Sequence, residues 1–254
     1  MTTTLSPRAS TRRLALTGTH NLRDVGGYTA GARSTRWGKL FRSDALHALD
    51  QNGRDVLAGL GLGLVIDLRE HDEASAAPNA LAGVGHREVH LPVYNGPVRY
   101  TAPGQPGAAF DLAALYRQML ADHGAALTEA VRTIAASGDE PVLVHCTAGK
   151  DRTGLVIALT LSAVGVEARD VVADYALSET MLHGEWAEAM VASFRDRELP
   201  AGFDIEGIVA ASPASLMREM LALIAAEHGD TRRYLHSHGM SEGELTDLHS
   251  ALLD

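Results

Sequence analysis

A chain of 254 residues with 46% hydrophobic side chains can bury a sizeable core, as one large domain or two small ones. A net charge of -10 argues against nucleic-acid binding, which needs a basic surface. The single cysteine, Cys146, excludes an intrachain disulfide. No apolar run approaches the roughly 18 residues of a membrane span, and the arginine-bearing N-terminus lacks an apolar stretch of signal-peptide length. The expected setting is the cytoplasm, without membrane insertion; export without a cleaved signal stays open.

Residues 1–17, rich in Thr, Ser and Arg, read as a flexible tail, and residues 18–254 as a single domain. Asn21 to Tyr28, a turn near Gly31 and the run Trp37 to Phe41 read as a β-hairpin, closed by Arg42-Ser43-Asp44. Arg23, Asp24, Arg42 and Asp44 either line a site or form a structural ion-pair network on a sheet edge. Leu49 to Leu60 is a short helix, with Asp50 as N-cap and Gly61 as stop. Gly63 to Arg69 is a strand that stays apolar until its polar carboxyl end. Ligands gather beyond such ends, so Asp67 and Arg69 read as supports for a site or as a structural pair. His86 to Val93 is a further strand. Pro92 to Phe110 has no periodicity and reads as a long loop. Helices are expected at Asp111 to His123 and Ala125 to Ala136.

The stretch that carries chemistry is PVLVHCTAGKDRTGLVIALTLSAV, Pro141 to Val164. Val142-Leu143-Val144 reads as a buried strand, and the apolar residues from Leu155 onward as a helix. Between them, five residues separate Cys146 from Arg152. A tight strand-to-helix loop turns successive backbone N–H groups inward as an anion nest. The helix N-terminus adds unpaired donors and partial positive charge. Arg152 adds a planar fork that fits two phosphate oxygens. Such surroundings favour a thiolate, the nucleophilic form of cysteine. Gly149 and Gly154 suit close backbone approach and unusual dihedrals.

The remaining chain reads as helical. Glu167 to Leu177 and Glu179 to Arg195 repeat apolar residues at helical spacing, including Met181, Leu182, Trp186, Met190 and Phe194. That stripe is core or, alternatively, a cover over the site. Ser212-Pro213 reads as N-cap and first turn of a helix through Ala226, and Ser241-x-x-Glu244 as a capping box. His236 and His238 are the only close histidine pair and read as a solvated turn, so no metal is expected. Strand–helix alternation around one parallel sheet gives an α/β domain whose helical C-terminal third packs on one face or partly covers the site.

HCTAGKDRTG resembles the phosphate-binding loop of the protein tyrosine phosphatase superfamily, Cys-x5-Arg followed by Ser or Thr. NLRDVGGY, FRSDAL and VIDLREHDE precede it in order. Together these segments resemble the bacterial tyrosine phosphatase family that includes mycobacterial protein tyrosine phosphatase B, over residues 20–180. The resemblance implies a protein tyrosine phosphatase-like fold, with a central, mostly parallel sheet flanked by helices. It implies no cofactor and a phosphorylated protein or phosphoinositide as substrate. Cys146 matches the nucleophile and Arg152 the phosphate-binding arginine. Thr147, Ala148, Gly149, Lys150 and Asp151 complete the phosphate-binding loop, and Lys150 suits a highly charged head group. His145 is expected to support the loop and help keep the thiolate charged. Thr153 either donates a hydrogen bond to the cysteine sulfur or only starts the helix.

The expected reaction is attack of Cys146 on phosphorus, followed by hydrolysis of a phosphocysteine. The leaving oxygen needs a proton. The 92–110 loop contains no Asp or Glu, and Asn95 falls where the resemblance leads one to expect an aspartate. Asp111 reads as a helix-start residue. Asp151 is therefore the expected general acid, with orientation of Lys150 or Arg152 as its structural alternative. Phosphotyrosine, phosphoserine/phosphothreonine and inositol lipids stay open as substrates. A lipid-directed phosphatase and a catalytically weak phosphate-binding module are the alternatives. Arsenate reduction would need further cysteines or an external thiol.

Overall fold

A computed structural model describes residues 12–94, 111–193 and 209–254. Among them the strands are β1 (Arg23–Asp24), β2 (Thr29–Ala30), β3 (Arg33–Ser34), β4 (Leu40–Ser43), β5 (Leu64–Asp67), β6 (Arg87–His90) and β7 (Val142–His145). The helices are α1 (Gln51–Gly59), α2 (His71–Ala76), α3 (Leu112–Asp122), α4 (Gly124–Ala135), α5 (Asp151–Ala163), α6 (Ala168–Leu182) and α7 (Glu185–Ser193), then α8 (Ala214–His228), α9 (Thr231–Ser237) and α10 (Glu242–Leu252). The 92–110 loop, with Asn95, lies from residue 95 outside the described residues, as do Phe194, Arg195 and residues 1–11. No helix among the described residues is long and apolar enough to cross a membrane.

β7 lies at the centre of a five-stranded sheet of order β1-β4-β7-β5-β6. β4, β5 and β6 run parallel within it and only β1 is antiparallel. Side chains alternate across a sheet, so a strand covered on both faces reads as continuously apolar. Leu40, Leu64, Ile66, Val142 and Val144 face the larger core, and Phe41, Val65 and Leu143 face a smaller one that includes Leu57 of α1. Ser43 and Asp67 both pair with His145, so three strands end at one level. The chain beyond His145 therefore emerges at the carboxyl edge of the sheet, where open α/β sheets place their ligands.

Every residue of α5 from Thr153 to Leu161 is buried, as expected of a helix that is apolar on all sides. α3, α4, α6, α8, α9 and α10 supply residues to the same core, so the helical C-terminal part packs on one face. The turn expected near Gly31 joins β2 and β3, a short hairpin that lies between the two expected runs. Those runs meet instead as β1 and β4 of the main sheet, antiparallel, with Asp24 opposite Phe41. Of the expected tail, residues 12–17 belong to the fold: Leu14 N donates to Leu22 O at 3.1 Å, and Arg12 stacks 4.0 Å above the Tyr28 ring centroid. α10 carries the expected capping box, and its far end is clipped to the N-terminal hairpin, Arg36 N donating to Leu252 O at 2.7 Å.

Two helix boundaries differ from expectation. α6 runs on through Leu182, because nothing at residue 178 breaks it; the break falls at Gly184, whose φ of 79° is left-handed. The apolar stripe thereby divides, with Leu182 buried in the core while Trp186 and Met190 of α7 are only half-buried. Ser212 does not cap α8: Pro213 occupies the N-cap position, and Ser212 N donates instead to Glu179 Oε2 at 3.1 Å.

Candidate active site

Cys146 follows β7 and is 1% exposed. Thr147 to Lys150 turn the chain, and α5 begins at Asp151. The turn closes because Gly149 adopts a φ of 63° and lies against β4. A Cβ there would sit 2.3 Å from Ser43 O and 2.6 Å from Asp44 N, so only glycine fits. Gly154 serves packing alone: a Cβ would meet the Tyr175 ring at 3.0 Å. The loop carbonyls point to the N-terminal segment. Thr147 O accepts from Ala45 N at 3.1 Å, Ala148 O from Asn21 Nδ2 at 2.9 Å, and Gly149 O from Arg42 Nη2 at 2.7 Å. In a trans peptide N–H and C=O point opposite ways. The N–H groups of Ala148, Gly149 and Lys150 thus face away from these donors, which is the arrangement of an anion nest.

Arg152, in the first turn of α5, is held by a residue to which the sequence assigned no role. Its Nη1 donates to Glu73 Oε2 at 2.5 Å and its Nη2 to Glu73 Oε1 at 2.9 Å and to Thr147 Oγ1 at 3.2 Å. The Thr147 hydroxyl also donates to Glu73 Oε1. The Tyr94 ring lies 5.6 Å from the guanidinium carbon. Burial pushes the Glu73 carboxyl up, but the Arg152 bonds and charge prevail and hold it at about 2. Burial lowers Arg152, yet Glu73 and Cys146 raise it above its ordinary value. Glu73 is the N3 residue of a capping box opened by Glu70 at the start of α2. That spacing, directly after the strand ending at Asp67, is the signal that would have found it.

Asp151 Oδ1 accepts from Tyr116 Oη at 2.8 Å, and Tyr116 Oη lies 2.8 Å from Tyr175 Oη. Lys150 is 3% exposed; its Nζ donates to Val209 O at 3.1 Å and lies 3.7 Å from Asp151 Oδ1. Its charge is therefore turned inward, rather than standing out as a surface cation. Asp111 is a helix-start residue, as expected, accepting from Ala114 N at 3.0 Å. Thr153 is fully buried in the first turn of α5 and its hydroxyl makes no hydrogen bond among the described residues, which favours the helix-start reading over a bond to the cysteine sulfur.

His145 is fully buried, with Nδ1 3.4 Å from Cys146 O and Nε2 3.7 Å from Asp67 Oδ2. Burial pushes it down to about 4 despite Asp67. Burial thus favours the neutral ring, which runs against the expectation that His145 helps to keep a thiolate charged. Asp67 and Arg69 form a buried pair at 2.7 Å, and Arg69 also reaches Ala77 O, so the pair ties the carboxyl end of α2, which carries Glu73, to the end of β5. Arg23 and Arg42 do form an ion-pair network, but behind the loop rather than at the pocket, and their partner is Asp174 of α6. Asp24 and Asp44 instead accept from backbone, Gly26 N and Asn21 N respectively. His236 and His238 lie at the end of α9, away from this site, His238 stacking on Tyr234.

The structure thus brings together a thiol at a strand end, a loop whose carbonyls are held back and an arginine fork on the following helix. The model of the tyrosine phosphatase family matches residues 14–254. A tyrosine-protein phosphatase of Nostoc commune is 31% identical over 210 residues, 82% of this chain and 71% of that protein. The triple specificity protein phosphatase PtpB of Mycobacterium tuberculosis is 34% identical over 189 residues, 63% of this chain and 67% of that protein. Among solved structures, TpbA of P. aeruginosa in complex with pTyr aligns over 84% of this chain and 98% of its own, at 19% identity and a TM-score of 0.39. The chain belongs to the tyrosine phosphatase family. It is a phosphatase, an enzyme of the protein tyrosine phosphatase class.

Two predictions follow from this geometry. Gly149→Ala forces a Cβ into the Ser43 backbone, and kcat/KM should fall on the order of 100-fold or more as the nest is lost. Steady-state kinetics beside a thermal melt will show whether the loss exceeds that from unfolding. For His145, the unfolded ring takes up a proton below about pH 6.5, while the native ring resists until about 4. Over that interval the unfolded state binds more protons, so stability falls as pH falls, by about 3 kcal/mol in all. Urea unfolding at pH 7 and pH 4 should show this loss in the wild type, and a smaller one in His145→Asn.

Proposed function

We propose that the chain hydrolyses phosphate monoesters through a phosphocysteine on Cys146, acting on phosphotyrosine and also on phosphoserine/phosphothreonine and phosphoinositides. The observation that carries this is the position of the only thiol. It begins a loop whose three successive carbonyls are all tied away from the site, at the N-terminus of a buried helix. Oriented N–H groups and a helix N-terminus stabilise a bound phosphoryl group and the charge that develops on its equatorial oxygens. Glu73 grips the Nη1/Nη2 end of Arg152, which fixes the guanidinium plane and leaves Nε to donate to a phosphate oxygen.

The Cys146 thiolate attacks phosphorus, and the P–O bond to the leaving group breaks. Asp151 gives that oxygen a proton. Tyr116 donates to Oδ1, which leaves Oδ2 as the oxygen that carries the transferable proton. Water then attacks the phosphocysteine, Asp151 takes a proton from it, and phosphate leaves with the thiolate restored. Lys150, 3.7 Å from Asp151, orients that carboxylate. The breadth of substrate is suggested by PtpB, whose name records triple specificity.

Phosphate release from phosphotyrosine, phosphoserine/phosphothreonine and phosphoinositide substrates tests the reading. Wild-type turnover of all three classes, abolished by Cys146→Ser, is expected. No turnover on any would point to a phosphate-binding module, and activity surviving in Cys146→Ser would remove the thiol from the mechanism. Asp151→Asn should lower kcat on phenyl phosphate, a poor leaving group, by roughly 10²- to 10⁴-fold. Unchanged kcat would reassign the general acid.

A further inference from the structure

Two of the donors that hold the loop carbonyls are side chains, and a side chain holds only as well as it is itself held. Asn21 Nδ2 donates to Ala148 O at 2.9 Å and to Gly149 O at 3.1 Å. Arg42 Nη2 donates to Gly149 O at 2.7 Å. Behind them stands one carboxylate. Asp174 Oδ2 accepts from Arg42 Nη1 at 2.5 Å, and Asp174 Oδ1 from Arg23 Nε at 3.2 Å. Arg23 Nη1 donates in turn to Asn21 Oδ1, which sets the direction of the Asn21 amide. Two chains of hydrogen bonds thus run from Asp174 to the same loop, one through Arg42 and one through Arg23 and Asn21. Both guanidiniums are fully buried and Asp174 is 1% exposed.

We propose that Asp174, acting through Arg42 and through Arg23 and Asn21, is the positioning residue that holds the Ala148 and Gly149 carbonyls back and so keeps the N–H groups that follow them aimed at phosphate. This rests on the phosphatase reading above. Two buried guanidiniums are an expensive way to join a helix to a sheet, because desolvation consumes most of the Coulombic gain. Directionality is what such a cluster supplies. Arginine presents several donors in a fixed plane, so Arg42 reaches Asp174 and Gly149 O with two different nitrogens at once. A lysine keeps the charge but offers a single nitrogen for both acceptors. The alternative is that the cluster only fastens α6 to the N-terminal segment; its loss would then lower stability and leave phosphate binding as it was.

The decisive comparison sets Arg42→Lys and Asn21→Ala against Tyr28→Phe in the full chain. Tyr28 Oη donates to the same Asp174 Oδ1 at 3.0 Å but reaches no loop carbonyl. The readouts are orthovanadate inhibition, kcat and KM on a phosphotyrosine peptide, and Tm. Vanadate mimics the transition state, so its affinity reports the loop's aim. Arg42→Lys and Asn21→Ala should each weaken vanadate on the order of 10- to 100-fold, with the loss in kcat/KM carried mainly by kcat. Tyr28→Phe should lose stability and keep wild-type vanadate affinity. If Arg42→Lys does not fold, Asn21→Ala decides by the same criterion. Wild-type vanadate affinity in the loop-side variants, or an equal loss in Tyr28→Phe, overturns the proposal and leaves the phosphatase reading standing. A wild-type protein that vanadate does not inhibit overturns both.

Discussion

Gly149 lies against the backbone of Ser43 and Asp44 with a left-handed φ, and no larger residue fits between them. That contact joins the end of β4 to the turn after β7, and the site is built on it. Because β4, β5 and β7 end in register, the chain after His145 has to turn at once, over the ends of its neighbours. The turn brings α5 in with its N-terminus toward the loop. One close backbone contact therefore couples sheet register, loop shape and helix placement. The price is a run of carbonyls that must find donors elsewhere, and Ala45, Asn21 and Arg42 provide them.

The charges at the site divide into two groups with different work. On the substrate side, Glu73 and Thr147 fix the Arg152 fork, and Glu73 is held to about 2 by that pairing. As pH falls from its ordinary range toward that value, the pair persists, so the fork keeps its orientation under mildly acidic conditions. On the far side, Asp174 serves two arginines, which keep its carboxyl below the ordinary range against the effect of burial. Burial at the end of β7 disfavours the charged form of His145. The cationic character of the site comes from Arg152, the loop N–H groups and the helix end.

Much of this was legible in the sequence where the cause is local. The apolar run at Val142, the seven residues Cys146 to Arg152 and the apolar helix after them are contiguous, so strand, turn and helix could be read together. Asp50, Asp111 and the Ser241/Glu244 box carry their own capping chemistry within three residues, and each does cap its helix. What stayed hidden depends on distant partners. Glu73 meets Arg152 across 79 positions, and Asp174 meets Arg42 across 132. The arginines of NLRDVGGY and FRSDAL could be named as an ion-pair network, but not their shared partner. Ser212 had the right composition for a cap, yet α8 starts one residue later, with Pro213 at the N-cap position and the Ser212 N–H held by Glu179 of another helix.

The most direct measurement is acid-quenched mass spectrometry of the enzyme during turnover of a phosphotyrosine peptide, with Cys146→Ser alongside. A phosphoryl group on the peptide containing Cys146, absent in Cys146→Ser, is the expected result. Turnover with no covalent phosphate on Cys146, or with phosphate on another side chain, would contradict a mechanism centred on this loop.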